Sequence, residues 1–401
     1  MQVEIHVLQS FPPANLNRDE NGMPKSTVFG GKTRARISSQ CQKRAVRSYY
    51  HEYSDLDSRL FAKRSKNWIT EISDKLKVED MTPEQAQIAA ACAITVFTEK
   101  KESKGKLKKA KAKVKAKKNE ESSDEKEETT DTVDTMLFLG NSELEAILEF
   151  LKKNLEQVKK DISSEAPAFS NNLVDGLKSI LTANAKPGDV ALFGRMMPNL
   201  PVAKVDAAVQ MAHAIGVNKL EQEFDFFTAV EELAKEDSTG SGHLGETAYN
   251  SSTYYRFTTL DIKQLEQNLG SNEHTKNITK AFAESFIKAI PTGHQNGFAA
   301  HSLPAAVMIV VRKGQPISLV DAFENPIAPK GGKSLLENAV SKLDGHWAEL
   351  CKMYGDKSVV FKGIVTQTKF EQWLKSLADC KKDSIDELIK AAIDAAFEGG
   401  E

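Results

Sequence analysis

The chain has few cysteines and no long apolar run. Its four cysteines (Cys41, Cys92, Cys351 and Cys380) form no CxxC pair, and none lies at metal-ligand spacing from a histidine. This argues against a zinc ribbon, and more strongly against a disulfide framework in a chain of 401 residues. No apolar stretch reaches the length of about 18 residues that a transmembrane helix needs, and the N-terminal residues lack the features of a secretory signal. We therefore expect a cytoplasmic protein.

Familiar catalytic motifs are also missing. The eight histidines show no HExxH spacing, and no GxSxG segment occurs. The GGKT at residues 30–33 resembles the end of a P-loop, but Ser26 occupies the position of the first glycine and a strand pattern follows. Asp19, beside Glu20, remains as a candidate general base or metal ligand, although adjacent carboxylates in a loop usually serve turn chemistry. We predict no catalytic residue, no metal site and no cofactor.

The net charge of −2 hides two blocks of opposite sign. Residues 100–118 contain eleven lysines and one glutamate, about +10, and residues 119–134 contain eight carboxylates and one lysine, about −7. This charged segment has too little apolar surface to offset its chain entropy, so we predict a low-complexity insert over 100–134. Its lysines indicate either a solvated tether or a salt-dependent contact with nucleic acid.

Strand and helix patterns alternate without a βαβ repeat, which predicts an α+β fold. The alternation of Val3, Ile5 and Val7 predicts a half-buried strand, followed by a loop over 11–25. Thr82-Pro-Glu-Gln85 predicts a capped helix start. The remaining patterns predict helices and strands over these ranges: helices at 58–98, 204–215 and 384–397, and strands at 188–194 and 306–311.

One segment concentrates basic residues without any acid. Lys32, Arg34 and Arg36 alternate along a predicted strand, so their side chains should share one face. A capping box at 39–42 predicts that a helix begins here. This helix would carry three more basic residues, Lys43, Arg44 and Arg47. Its predicted buried stripe is Cys41, Ala45 and Tyr49. A solvated basic face would show the same pattern, but the density of positive charge favours a phosphate-binding surface.

Adjacent aromatics at Phe226 and Phe227 leave two interpretations open. If the segment is a helix, such a pair usually belongs to the hydrophobic core. On a mobile extension it can stack on an unpaired base. The glycine-rich segment that follows, at 238–245, favours an extension.

Several segments, in order, resemble the CasC family, the backbone subunits of type I-E CRISPR Cascade complexes. The matching motifs include Ile5-His-Val-Leu, Leu16-Asn-Arg-Asp19, Phe29-Gly-Gly-Lys, Arg36-Ile-Ser-Ser-Gln40, Leu192-Phe-Gly-Arg-Met196 and Asp225-Phe-Phe-Thr-Ala-Val230. The resemblance covers both strand-rich halves, whereas the middle of the chain (about 60–185) matches poorly.

The resemblance implies a shape like a right hand. The palm would be a modified RRM/ferredoxin-like fold, interrupted by an inserted helical fingers domain and extended by a protruding thumb. On this basis the segments would be palm at 1–57, 186–218 and 254–401, fingers at 58–185 including the insert 100–134, and thumb at 219–253.

The resemblance also implies the function, a non-catalytic subunit that polymerises head-to-tail along CRISPR RNA and presents it for pairing with target DNA. The other expected partners are the CasA large subunit, the CasB small subunit, CasD and CasE. The implied RNA contacts are Arg18, Lys25, Ser38, Gln40, Lys43, Arg44, Arg47, Met196, Phe226, Phe227, Thr228, Val230, His243 and Leu244. The candidate DNA contacts are Lys152, Lys153, Lys159 and Lys160.

Two other functions are open at this point. Related backbone subunits of type III complexes cut RNA with an aspartate and a divalent metal, and Asp19 lies in a comparable loop. A generic RNA-binding protein outside CRISPR would carry a similar basic segment.

Overall fold

The computed structural model describes residues 1–76, 81–98, 136–183, 185–230 and 241–398, without the side chains of 229–230 and 241–244. The charged insert at 100–134 lies outside these residues. The chain divides into two compact units. The larger comprises Met1–Asp55, Val209–Lys263 and Glu273–Glu401, and the smaller comprises Leu56–Ala208 and Gln264–Asn272. In the described part of the chain, no helix combines the length and apolarity that crossing a membrane requires.

The strands, numbered in chain order, are β1 Gln2–Ala14, β2 Ser26–Phe29, β3 Lys32–Ile37, β4 Ala62–Ser65, β5 Leu137–Gly140, β6 Val209–Met211, β7 Ala214–Gly216, β8 Gln222–Val230, β9 Ser241–Asp261, β10 Ala306–Arg312 and β11 Val359–Thr366. The α-helices are α1 Ser39–Tyr53, α2 Trp68–Leu76, α3 Pro83–Thr95, α4 Asn141–Lys153, α5 Leu155–Ile162, α6 Asn171–Thr182, α7 Gly188–Phe193, α8 Ile262–Leu269, α9 Asn272–Lys288, α10 Gln295–Phe298, α11 Leu335–Tyr354 and α12 Ile385–Glu398.

An antiparallel sheet organises the larger unit. Its strand order is β11-β10-β1-β9-β7-β3-β2, and β6 and β8 also pair with β9. Strand β10 lies between β11 and β1 with all its residues buried, which confirms the predicted central strand. Helix α11 packs its Val340, Leu343 and Trp347 against one face of these strands, and α12 also packs against β10 and β11.

Strand β1 differs from its prediction. It is buried on both faces instead of one, and it continues to Ala14 through part of the segment predicted as a loop. Polar residues occupy alternate positions of β1, and each finds a buried partner, as Glu4 does in Arg312 at 2.7 Å. The polar residues that alternate along β1 are therefore buried in ion pairs and hydrogen bonds. A hydropathy pattern cannot distinguish such residues from polar residues exposed to solvent.

Arg256 on β9 joins four elements of the larger unit. Its guanidinium donates to the Gln9 Oε1 on β1 at 2.5 Å, to the Gln42 Oε1 on α1 at 3.3 Å and to the Phe286 carbonyl on α9 at 2.5 Å. Burial lowers the pKa of Arg256 to about 10. The side chain therefore remains charged at neutral pH and holds α1 against the sheet.

The described residues of the smaller unit are mostly helical, and they include a two-stranded sheet of β4 and β5. The capping box at Thr82 is present, with Pro83 at the helix start. Buried Arg195 forms an ion pair with Glu143 at 2.7 Å. The Glu143 carboxylate also accepts from the Gly140 amide at the start of α4. This unit extends to Ala208, beyond residue 185, where the fingers were predicted to end.

Two element predictions over residues 188–215 are wrong. Residues 188–193 form the helix α7 instead of a strand, and Gly194 ends it with φ 77°. Six residues are too few for the periodicity to separate a helix from a strand. The predicted helix over 204–215 is a loop followed by β6 and β7, because pairing with β9 outweighs local helix propensity.

The contacts of Arg256 predict a large loss of stability on truncation. Arg256→Ala leaves three buried acceptors without their donor and should lower the free energy of unfolding by about 3 kcal/mol. Urea unfolding of the purified chain measures this. Lys342→Ala, an exposed lysine on α11, is the control and should change the value by less than about 0.5 kcal/mol. Equal stability of the two variants would contradict the role assigned to Arg256.

Candidate nucleic-acid interface

The start of α1 is organised by Ser38. Its backbone is extended, and its hydroxyl accepts a hydrogen bond from the Cys41 amide. The Ser38 amide donates to the Asn17 Oδ1 at 2.9 Å, which attaches the helix start to the loop before β2. The N-cap is therefore Ser38, one residue before the predicted Ser39. Gln42 cannot complete the predicted capping box, because its side chain is buried and donates to the Ala212 carbonyl.

The buried face of α1 differs in part from the predicted stripe. Its buried residues are Gln42, Ala45, Val46 and Tyr50. Of the predicted stripe, Ala45 is buried, whereas Cys41 and Tyr49 are half-buried. The basic residues of α1 keep access to solvent: Arg44 is exposed, and Lys43 and Arg47 are half-buried. Gln40, at the first turn, is exposed as well. The helix thus presents a polar and basic side near its N-terminus, where the helix dipole favours anions.

The predicted basic row on β3 is wrong at its centre. Arg34 is fully buried and donates to the carbonyls of Gly216, Val217, Phe323 and Glu324 at 2.7 to 3.2 Å. Strand alternation correctly placed Lys32, Arg34 and Arg36 on one face, but the 323–324 segment covers that face at Arg34. Arg36 is half-buried. Burial lowers the pKa of His213, and the positive charges of Arg36 and Lys25 lower it further.

A cleft of about 570 Å³ lies beside α1. Its walls come from the loop at 16–22, from α1 and from residues 291–293, and both Arg18 and Arg44 line it. Lys25 and Arg44 lie close enough to the Cys41 thiol to oppose the rise in its pKa that burial causes. The structure therefore brings Arg18, Lys25, Ser38 and Arg44 together around one end of α1. Such a group of cations and helix amides can hold a phosphate chain.

Of the two acidic residues that line the cleft, Asp19 has a role in its own loop. The Asp19 Oδ1 accepts from the amides of Asn21 and Met23 at 2.9 and 3.0 Å, which closes the turn that follows Arg18. The candidate catalytic carboxylate is thus already engaged in shaping its own loop. Within the described residues, no group of three or more His, Cys, Asp or Glu side chains is arranged to hold a metal ion.

Three planar side chains lie next to Arg18 and extend the surface around the cleft. The sequence patterns did not predict them. The Arg18 guanidinium contacts the His294 Nε2 at 2.8 Å. The His294 ring stacks on the Phe298 ring with 6.1 Å between their centroids, and the centroids of the Phe298 and Tyr249 rings are 5.8 Å apart. His294 has a left-handed backbone with φ 50°, which is uncommon for a residue other than glycine. Neither periodicity nor charge marks these residues, because they meet only through the tertiary fold.

The predicted thumb residues lie on a β-hairpin of β8 and β9, not in a helical pattern. Phe226 pairs with Glu246, and Phe227 pairs with Gly245, so the two aromatics point to opposite faces. The Phe227 ring covers Gly245 so closely that a Cβ there would overlap with it. Thr228 is exposed beyond them. The side chains of Val230, His243 and Leu244 lie outside the described residues.

The remaining predicted contacts, one with RNA and four with DNA, are on the smaller unit. Met196 is 86% exposed in a loop closed by paired backbone hydrogen bonds between Arg195 and Val205. Lys152 and Lys153 end α4, and Lys160 lies on α5, all of them exposed. Lys159 is half-buried and pairs with Glu156 at 3.6 Å. Three of the four candidate DNA contacts are thus accessible, and their helices hold them at fixed positions.

Comparison with known proteins identifies the family of the chain. The model of the Cas family described as CT1975-like protein matches residues 3–391. The chain belongs to this family.

Two solved structures contain chains of similar fold. A chain of a "CRISPR RNA-guided surveillance complex, pre-nicking" is 29% identical with a TM-score of 0.82, over 99% of this chain and 100% of that one. A chain of a "CRISPR RNA-guided surveillance complex" is 25% identical with a TM-score of 0.71, over 99% and 100%. No curated protein matches the chain. The α+β prediction and the similarity to subunits of CRISPR complexes are confirmed.

The cap at Ser38 predicts that this residue serves stability apart from any RNA contact. Ser38→Ala should lower the free energy of unfolding by about 1 kcal/mol, whereas Ser38→Asn should retain the cap and most of that stability. Urea unfolding of the three proteins distinguishes the cases. If Ser38→Ala were as stable as the parent chain, the hydroxyl would not be the helix cap.

Proposed function

We propose that this chain is a non-catalytic backbone subunit of a type I-E CRISPR Cascade complex, which polymerises along CRISPR RNA in antiviral defence. The observation that carries this is the pair of exposed arginines, Arg18 and Arg44, that line one cleft beside α1, with Lys25 near the start of the same helix, in a chain that matches surveillance-complex chains over nearly its whole length. Such a cluster contacts phosphates, which positions an RNA without reading its sequence. Reading is left to pairing between the guide and target DNA.

The assignment of the domains follows from the same proposal. The sheet of the larger unit is the RRM/ferredoxin-like palm, the smaller unit is the fingers, and the hairpin of β8 and β9 is the thumb. Copies stack head-to-tail along the guide in the cytoplasm, and the CasA, CasB, CasD and CasE subunits complete the complex. The exposed apolar Met196 and the hairpin aromatics are the groups that contact displaced bases, for which an uncharged surface is suited.

The non-catalytic assignment is supported by the role of Asp19. Its Oδ1 already accepts two backbone amides, so the carboxylate stabilises the loop that presents Arg18. This structural role accounts for an aspartate at position 19 without a catalytic function. Magnesium-dependent cleavage of guide-complementary RNA, abolished by Asp19→Asn, would establish the enzymatic alternative instead.

Sequencing of copurified RNA tests the proposal. The chain is co-expressed with its neighbouring genes, and RNA is extracted from the purified complex. We expect uniform small RNAs, each with a variable spacer flanked by a constant repeat-derived segment. Heterogeneous cellular RNA would support a generic RNA-binding protein, and complexes without RNA would contradict the proposal.

The cleft predicts a specific defect in guide retention. Arg18→Ala combined with Arg44→Ala should lower the guide RNA recovered per subunit at least about tenfold, because even one charge-assisted contact is worth about 1.5 kcal/mol or more. Quantitative RNA recovery from the purified complex measures this. The matched control is Arg59→Ala, which removes an exposed arginine that is ion-paired with Asp57 and should leave recovery unchanged. Full recovery in the double variant would refute the assignment of the cleft.

The lysines of α4 and α5 predict a separate defect in DNA capture. Changing Lys152, Lys153 and Lys160 to Ala should reduce the slope of log affinity against log salt by about 3, because each lysine would neutralise one phosphate of the DNA. Guide loading should be normal. Lys75→Ala, an exposed lysine of α2 that is paired with Glu71, is the control. An unchanged salt slope would show that these lysines do not contact target DNA.

A further inference from the structure

The imidazole of His213 is fixed at the start of α1. His213 lies in the short link between β6 and β7, and the preceding residue, Ala212, accepts from the side chain of Gln42. The His213 Nδ1 is 3.2 Å from the Ser39 amide nitrogen and 3.3 Å from the Arg36 Nη1. One ring nitrogen therefore meets both the first amide of the helix and a guanidinium on β3.

These two contacts define the protonation state of the ring. The Ser39 amide and the Arg36 guanidinium are both N–H donors, so the His213 Nδ1 accepts from them. An imidazole accepts at Nδ1 only when it is neutral, with its proton on Nε2. His213 is thus a neutral side chain in a positively charged place, and its exposure to solvent lets a proton reach it.

The surroundings of the ring oppose its protonation. Burial lowers the pKa of His213 most, and the charges of Arg36 and Lys25 lower it further. Strands β6 and β7 carry no ionisable side chain, and α1 faces the ring with the uncharged Ser39. Among the described charged groups that act on the ring there is no carboxylate. A phosphate beside Arg36 would offset this positive charge and raise the pKa.

The two donors that the ring occupies also suit a phosphate. A guanidinium binds phosphate oxygens through its fork of N–H groups, and the first amides of a helix point toward anions. We propose that neutral His213 competes with the guide phosphate for Arg36 and Ser39, and that its protonation releases both donors, an inference that rests on the proposed function.

Two consequences of protonation act in the same direction. A protonated ring cannot accept a hydrogen bond at Nδ1, so Arg36 and Ser39 become available to the phosphate. The imidazolium also adds a positive charge beside the guide backbone. Both effects strengthen binding, and by linkage the complex takes up protons as it forms. The affinity for the guide should therefore rise as the pH falls through the pKa of His213.

A pH series of RNA binding measures this coupling. Synthetic guide RNA is titrated with the purified full chain at constant ionic strength, from about pH 7.5 to about pH 5.5, a range that includes the ordinary pKa of histidine. In the parent chain the affinity should rise at least about threefold over this range, which is what one net hydrogen bond contributes.

Two variants separate competition from support of the fold. His213→Asn keeps an acceptor near the position of Nδ1 but does not titrate, so it should match the parent affinity at the upper end of the pH range and lack the rise. His213→Ala removes the competing acceptor, so at that same pH it should bind the guide at least as tightly as the parent. A ring that only supported the site would give weaker binding in His213→Ala.

The matched control is His346→Gln on α11. Tyr255 packs with α11 whereas its neighbour Arg256 contacts α1, so the two helices lie on opposite faces of the sheet. This variant should show the same rise as the parent.

Two results would overturn the competition and leave the proposed function standing. One is equal pH profiles of the parent and His213→Asn with guide RNA bound to both. The other is weaker binding of His213→Ala at the upper end of the pH range, in a chain whose urea unfolding is unchanged. Failure of the parent chain to bind guide RNA at any pH would overturn both proposals.

Discussion

The buried guanidinium of Arg256 determines where the proposed RNA surface lies. It contacts β1, α1 and α9 from its place on β9, and it holds α1 through Gln42. Gln42 in turn donates to the Ala212 carbonyl just before β7, so the helix is fixed to the sheet at two points. The orientation of α1 decides that Arg44 faces the cleft and that Ser38 meets the loop of Asn17. A charge in the core thus positions charges on the surface.

The arginines of this chain divide into two groups with opposite roles. Arg34 and Arg256 are buried in the larger unit, where carbonyls and amides surround their guanidinium groups. Arg18 and Arg44 are exposed at the cleft. Buried arginines form hydrogen bonds with several elements of the fold, because an unpaired charge in the core is costly. The net charge of the chain therefore carries little information about the surface that meets RNA.

Sequence patterns predicted correctly those elements that depend only on residues close together in the chain. The central strand β10 and the capped start of α3 were predicted because a continuous apolar run and a Thr-Pro pair act within a few residues. The identity of the cap at Ser38 was missed by one residue, since it depends on Asn17 across the loop. The burial of Arg34 was missed because the segment that covers it is almost three hundred residues away. His294 and Phe298 carry no local signal at all.

Strand β9 runs for 21 residues from the hairpin into the centre of the sheet without interruption. Its outer part pairs with β8, and its inner part pairs with β1, with Asn250 shared by both. Side chains alternate from Gly245 to Asp261, so the faces of the outer part and of the inner part are fixed relative to each other. Insertion of one codon near Ser252 would turn the hairpin over relative to the sheet, whereas insertion of two would restore the faces. We expect homologous genes to vary the length of this strand in steps of two residues.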